Sequence, residues 1–444
     1  MATLLWFSRD LRLHDNPALL QAAQADQLLC VYVVDPDWFR PGPWQSRVMG
    51  PHRWRFLWQS LMALEGELKA LGQRLHIAWG NPESVIPGLS HRHGVSRLVR
   101  SRVHDGDENG QWERIVGALQ RIPVLEVETR TLFNERDLPF AIDQLPETFS
   151  QFRKRLEKPA LPSRAPLEAP RTLPPAPGLA EDDRHRCPAV QALENDPYQG
   201  GEKAGLAQLE DFLFVSHGID RYKETRNALD DWPSSSRFSA WLANGSLSVR
   251  TVAARIHDYE QQVLSNDSTY WLYFELLWRE YFQWNARRLG PALYSRDGEK
   301  GRAGANSFYP HRFRAWCQGS TEYPIVNACM NQLRETGYMS NRGRQLVASC
   351  FVHELGLDWR YGAAWMAEQL LDYDPASHYG NWQYLAGVGA DPRGWRQFNL
   401  AKQASTYDPR GEFVARWQGH ASQPVGLHTV DAADWPIAPG EPPA

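Results

Sequence analysis

Between Leu4 and Glu128 the chain alternates short apolar runs with amphipathic stretches, and no other feature restricts its possible folds as much. LLWFS (4–8), LLCVYVV (28–34), RLHIAW (74–79), RLVRS (97–101) and VLEVE (124–128) have the length and apolar content of strands. NPALLQAAQA, HRWRFLWQSLMALEGELKALG and QWERIVGALQRI lie between them with apolar residues at helical spacing. Strands joined through helices do not pair as tight hairpins. Right-handed crossovers lay them side by side and parallel, in a doubly wound α/β sheet. No G-x-G-x-x-G follows any of these runs, so dinucleotide binding of the usual kind is not supported.

The pattern changes along the chain. PALPSRAPLEAPRTLPPAP (159–177) carries seven prolines and reads as an extended connection. From about residue 203 to 418 the periodicity is helical throughout, and the last stretch is again Pro-rich. These shifts divide the chain into an N-terminal α/β domain (1–132), a linker (133–202), an all-helical domain (203–418) and a tail (419–444). Five scattered cysteines without a C-x-x-C pair point to a reducing compartment and to neither a disulfide framework nor a zinc site. With no signal-peptide pattern and no 18-residue apolar run, the expectation is a soluble, cytoplasmic, monomeric protein without a membrane partner or a metal. A net charge of −4 means that any polyanion site must be assembled locally. Twelve of the nineteen tryptophans follow residue 230, a density that suggests stacking surfaces or electron relay as well as core.

Four segments of the helical part carry chemistry. SSSRFSAWLANGSLSVR (234–250) sets serines before a helical run, as a plain cap or as an anion site at a helix start. In WLYFELLWREYFQW (271–284), Glu275, Trp278 and Phe282 share a helical stripe and Arg279 is available for anions; an aromatic core helix with a salt bridge fits equally. Arg342 and Arg344, two apart in SNRGRQ, point different ways on a helix, one inward and one outward, or form a solvated face. DYDPASHYGNWQY (372–384) reads as a loop in which Asp372 and Asp374 are acceptors and Trp382 and Tyr384 are neighbouring rings.

These stretches resemble the photolyase/cryptochrome flavoproteins. FSRDLRLHDNPAL (7–19) is similar to the family's N-terminal signature, and YPIVNACMNQLRETGYMSNRGRQ (323–345), LGLDWR (355–360) and YGNWQYLAGVGADPR (379–393) to its flavin domain. TLFNERDLPF (131–140), LPETFSQFRKRLE (145–157), SNRGRQ and YDPRGEF (407–413) resemble the DASH branch of cryptochromes. The resemblance implies FAD in the helical domain and an antenna chromophore, a folate (5,10-methenyltetrahydrofolate), in the N-terminal domain or at its junction with the helical one. It makes Tyr222, Ser235, Ser236, Arg237, Phe238, Ser239, Arg279, Arg344, Asp372, Asp374, His378 and Asn381 cofactor contacts, with Arg344 paired to Asp372.

Arg226, Glu275, Trp278, Asn341, Arg342, Gln345 and Tyr384 match positions that contact a flipped pyrimidine dimer. Tyr384 and Gln345 stand where photolyases acting on duplex DNA have a tryptophan and a methionine. The smaller stacking face implies single-stranded or unpaired DNA as substrate, with RNA left open. The implied activity is light-driven dimer splitting by electron transfer from reduced flavin; the alternative is a blue-light receptor signalling through flavin photoreduction. The resemblance makes Trp382 and then Trp359 the relay of electrons to oxidised flavin, but the third relay position holds Asn306, with Phe308 and Tyr309 nearby. His378 replaces an asparagine expected near the flavin; because histidine ordinarily titrates near neutral pH, His378 is expected to titrate there and to change the stability of the reduced or semiquinone flavin. Arg226, Arg342, Arg393 and Lys402 are the expected DNA-facing cations.

Overall fold

The computed structural model describes residues 2–104, 106–178, 182–194, 196–302, 306–390 and 397–422. Five strands, β1 (Ala2–Phe7), β2 (Gln27–Val34), β3 (Leu75–Trp79), β4 (Val95–Ser101) and β5 (Val124–Val127), form one sheet in the order β3-β2-β1-β4-β5. Every pairing is parallel. β1 is buried along its whole length, as expected of a central strand covered on both faces. Leu5, Phe7, Cys30 and Tyr32 face one apolar layer, and Leu4, Trp6, Leu29 and Val31 the other.

The connecting helices are α1 (Pro17–Ala22), α2 (Pro51–Ala70), α3 (Pro82–Arg92) and α4 (Gly106–Leu119). α3 escapes the sequence pattern because Pro87 and Gly88 interrupt it. It is nevertheless started well, with Pro82 at its first position and Asn81 accepting the Glu83 amide at 2.8 Å. The proline-rich segment is less free than a linker reading suggests. The Pro175 carbonyl accepts the Leu28 amide at 3.1 Å, Gln73 donates to the Pro174 carbonyl at 2.7 Å, and Asp15 donates its amide to Leu167 at 2.8 Å. The segment is therefore tied to the start of β2, to the turn before β3 and to the stretch after β1 rather than spanning a gap.

The remaining helices are α5 (Phe149–Glu157), α6 (Glu202–Glu210), α7 (Tyr222–Thr225), α8 (Ser239–Asn244), α9 (Val249–Gln262), α10 (Asp267–Leu289), α11 (Pro310–Gln318), α12 (Pro324–Thr336), α13 (Asn341–Ser349), α14 (Trp359–Gln369), α15 (Pro375–Leu385), α16 (Leu400–Tyr407) and α17 (Glu412–Arg416). They enclose two aromatic-rich cores, one around α9 and α10 and one around α12 to α15. Among the described residues no helix is long and apolar enough to cross a membrane.

Arg12, just beyond β1, joins the α/β part to the helices. Its buried guanidinium donates to the carbonyls of Gly245 (2.9 Å), Asp15 (2.8 Å) and Thr129 (2.8 Å). Asp15 in turn accepts from Arg250 at 2.9 Å and from Ser248. Gly245 has φ 74°, and a Cβ there would stand 2.0 Å from the Arg9 carbonyl oxygen, so only glycine permits this approach.

Candidate functional site

A cavity of about 480 Å³ opens among α8, α10, α13, α14 and α15, within the range of cofactor-sized pockets. Of the residues singled out from the sequence, it is lined by Tyr222, Arg226, Ser235, Ser236, Arg237, Phe238, Ser239, Glu275, Trp278, Arg279, Asn341, Arg344, Gln345, Asp372, Asp374, His378, Asn381, Trp382 and Tyr384. Arg342 and Trp359 do not line it. Arg342 lies over the Tyr407 ring at 4.7 Å and donates to Asn227 at 3.0 Å, away from the cavity that Arg344 lines. Trp359 is buried and donates its indole N–H to the Arg296 carbonyl at 3.2 Å. Arg393 and residues 423–444 lie outside the described residues.

Two local readings are corrected. Residues 372–384 are not one loop: from Pro375 they form α15, with Pro375 at its first position and the Asp374 side chain accepting the Ser377 amide at 2.9 Å. A helix start with an acidic cap replaces the irregular backbone that Pro375 and Gly380 suggested. Gly380 serves packing, since a Cβ there would fall 2.4 Å from the Phe282 ring. Nor do the serines of 234–239 cap a long helix. α8 is six residues long and begins after Phe238 without a side-chain cap. A positive φ of 61° at Arg237 turns the chain there, and this turn belongs to the segment lining the cavity.

Charge is distributed unevenly around the cavity. Arg344 holds both oxygens of Asp372, at 2.9 and 2.7 Å. Burial alone would lower the Arg344 pKa, but Asp372 raises it above its ordinary value, so the guanidinium stays charged. Asp374 pairs with buried Arg130 and accepts from Gln283 at 2.9 Å. Burial would raise its pKa, yet Arg130 and Arg279 hold it well below the usual carboxylate range. Among the described residues the hydrogen bonds of Arg279 go to backbone carbonyls, those of Arg130 (2.7 Å) and Leu242 (3.5 Å), and burial brings its pKa down to about 10. The sequence pattern gave no sign of Arg130 and Gln283, which position Asp374, or of Tyr338, which lies under the Arg237 guanidinium at 4.2 Å.

His378 departs from its expected behaviour. Its Nε2 donates to the Ala363 carbonyl at 2.8 Å, and burial lowers its pKa to about 4. It is neutral throughout the neutral range, so the expected titration there does not occur.

Glu275 and Arg226, each read as meeting substrate, meet one another at 2.6 Å, and Trp271 donates to the same carboxylate at 3.2 Å. Burial nevertheless keeps the Glu275 pKa raised, against the pull of Arg226 and Trp271. Trp278 stands one turn further along α10. One face of its indole is stacked on Phe149, with centroids 3.7 Å apart and planes 14° from parallel, and Tyr384 meets it edge-on at 6.2 Å.

A second cavity of about 160 Å³ lies beyond the carboxyl ends of β1, β2 and β4, lined by Arg9, Tyr32, Arg53, Arg100 and Glu108 and closed from the helical side by Leu371 and Tyr373. β1 is where the strand order reverses direction, the place at which open α/β sheets bind ligands.

The two halves match two family models: "DNA photolyase" over residues 3–173 and "FAD binding domain of DNA photolyase" over residues 271–423. The chain is 48% identical to a cryptochrome DASH of Idiomarina loihiensis across 98% of this chain and 96% of that one. It is 46% identical to a cryptochrome DASH of Vibrio parahaemolyticus, again across 98% of this chain and 97% of the other. Among solved structures, a Synechocystis cryptochrome superposes with a TM-score of 0.89 at 39% identity, covering 94% of this chain and 88% of its own. A class III photolyase of Agrobacterium tumefaciens gives 0.80 at 28% identity, covering 94% and 86%. The large cavity suits the cofactor these matches entail: hydroxyls of four serines and the charged Arg279 and Arg344 are chemistry for a diphosphate and a polar ring edge, and Leu272, Met339, Met366 and Leu370 supply apolar wall for a flat ring. Sheet, helical array, cavity and sequence agree that this chain is an FAD-binding member of the photolyase/cryptochrome family, on its cryptochrome DASH branch.

Proposed function

We propose that the protein is a light-driven lyase for cyclobutane pyrimidine dimers, acting preferentially on single-stranded or unpaired DNA. The observation that carries this reading is that Glu275, Trp278, Asn341, Gln345 and Tyr384 line the same cavity as the FAD-side residues. A carboxylate can take hydrogen bonds from the polar edges of flipped bases, and an indole can stack on them. With Phe149 stacked on one face of Trp278 and Phe282 tilted by 30° beside it at 5.6 Å, little of the indole is left for bases besides Tyr384. That stacking surface is small, and it returns little of the cost of extruding a dimer from a duplex.

FAD supplies the light-driven electron transfer when bound; the chain's part is to hold, orient and shield it. In this reading Tyr222, Ser235, Ser236, Arg237, Phe238, Ser239, Arg279, Arg344, Asp372, Asp374, His378 and Asn381 are its contacts, and Trp382, in the cavity wall, is the first ring on the way to the outside. Residues 1–132 form the antenna domain. The small cavity at the junction is the place for a folate, whose ring system alone suits about 160 Å³. The protein works in the cytoplasm as a monomer, consistent with five free cysteines.

Blue-light repair of a thymine dimer by the reduced protein, in one oligonucleotide presented single-stranded and as a duplex, tests the reading. Repair confined to the single strand supports it, and efficient repair of both refutes the strand preference. The Arg226–Glu275 ion pair favours a second reading, a blue-light receptor, because the carboxylate meant for bases is already engaged. No turnover on either strand, with FAD bound and photoreducible, selects that one.

A further inference from the structure

The family resemblance leads electrons from Trp382 to Trp359 and then to a third ring that this chain lacks. Asn306 has no ring to oxidise, and its amide is spent on the Val352 carbonyl at 2.7 Å. Trp359 is 4% exposed, with its N–H tied to a backbone carbonyl, so a cation left on it has neither solvent nor a base to receive its proton. A different set of rings connects the cavity to the outside. Trp382, in the cavity wall, has its ring centroid 6.4 Å from that of Trp316. Trp316 is 5.4 Å from Trp365. Phe351 packs beside both, 5.8 Å from Trp382 and 4.7 Å from Trp316. Trp365 is half-buried and forms part of the wall of a third cleft, of about 430 Å³, together with Phe308, Arg314, Gln318, Arg334 and Gln369.

We propose that electrons enter this protein at Trp365 and pass through Trp316 to Trp382. The proposal rests on the flavin reading above. Trp382 gives one electron to photoexcited, oxidised flavin, Trp316 refills Trp382, and Trp365 refills Trp316. The Trp365 radical cation then releases its indole N–H proton to water in the cleft. A dissolved thiol returns a hydrogen atom to the neutral Trp365 radical and leaves as a thiyl radical.

Trp316 suits the middle position. It is wholly buried, and its N–H donates to the Val347 carbonyl at 3.0 Å, an acceptor too weakly basic to take the proton, so the cation there stays mobile. Gly362 keeps the first ring in place, because a Cβ there would stand 2.6 Å from the edge of Trp382. The competing exit runs from Trp359 to Tyr379 (6.2 Å) and on to Tyr294 (4.7 Å). It requires phenols that lose a proton as they are oxidised, which slows each transfer.

The test uses full-length protein with oxidised FAD bound, as wild type and as Trp365→Phe, Trp359→Phe, Tyr294→Phe and Trp382→Phe, each first checked for wild-type flavin absorbance. Blue-light photoreduction with dithiothreitol is expected to slow by at least about tenfold in Trp365→Phe and by less than about twofold in Trp359→Phe and Tyr294→Phe. Illumination in air without thiol, followed by peptide mass spectrometry, is expected to place the oxidised tryptophan at residue 365. Loss in Trp359→Phe or Tyr294→Phe equal to or greater than that in Trp365→Phe overturns the route, as does oxidation mapped to Trp359 or Tyr294. Undiminished photoreduction in Trp382→Phe overturns it as well. A wild-type protein that binds no flavin fails differently, by removing the reading on which the route rests.

Discussion

Replacing Asp374 by alanine is expected to cost this protein more stability than any other change at the cavity. One carboxylate does three jobs: it neutralises Arg130, accepts from Gln283 at 2.9 Å, and caps α15 through the Ser377 amide at 2.9 Å. Arg130 is only 3% exposed and its Nε has no hydrogen-bond partner among the described residues, so its charge would lose its ion-pair partner. Breaking a buried pair from one side costs about 3–5 kcal/mol. A lost cap adds about 1 kcal/mol, and because the terms share the same two oxygens their sum is an upper bound. Asp374→Asn keeps a cap but still leaves the Arg130 charge uncompensated, so it should cost about 3–5 kcal/mol, less than alanine by the cap's contribution of about 1 kcal/mol.

Urea unfolding of the FAD-bound protein reads the difference once the FAD dissociation constant of each variant is measured and the stabilisation that binding adds is subtracted, because weakened binding lowers apparent stability at any FAD concentration. The pH dependence adds a second check. The folded-state pKa of Asp374 is depressed below the unfolded value of about 3.9, so its contribution is complete above that value and is lost as pH falls through the folded one. The deficit of Asp374→Ala must therefore shrink below about pH 4. A cost under about 1 kcal/mol for alanine, or equal costs for alanine and asparagine, would refute the reasoning.

Gly362→Ala is expected to destabilise by about 1–3 kcal/mol, because its Cβ overlaps Trp382 and crowds Phe351, and to shift the flavin absorbance; an unchanged melting curve and spectrum would count against the packing argument. Arg226→Ala frees Glu275 while removing a cation. Affinity for an undamaged single strand should fall and the salt slope should lessen by about 0.7, whereas an unchanged slope would show that Arg226 stays on Glu275. In His378→Asn, the ratio of its flavin photoreduction rate to that of wild type should be flat from pH 6 to 9, because the imidazole is already neutral there; a step in that ratio near pH 6.5 would contradict the burial argument.

How much of this could be read from the sequence followed the range of the forces involved. The strands stand out because each is a continuous apolar run, and α10 because its aromatic residues recur at helical spacing. α3 is hidden by Pro87 and Gly88, which a helix tolerates once Pro82 and Asn81 have started it. The start of α15 was open to reading in Asp374 and Pro375, but Gly380 made the segment resemble a loop, and the need for glycine comes from Phe282, almost a hundred residues earlier. The same holds for the site. Its residue types are visible, but Arg226 and Glu275 become partners only through the packing of α7 against α10, and Arg130 reaches Asp374 across 244 positions. The neutrality of His378 is a property of its enclosure, which no local pattern reports.

The seam at Arg12 has a practical consequence for anyone who recombines these proteins. Its guanidinium is a plug fitted into carbonyls contributed by both halves, and Gly245 and the Ser248–Arg250–Asp15 set form the socket. Grafting the α/β half of one relative onto the helical half of another would separate plug from socket wherever the two differ. A working chimaera must carry Arg12, Asp15, Gly245, Ser248 and Arg250 together, so the unit of exchange is the interlocked set and not the domain.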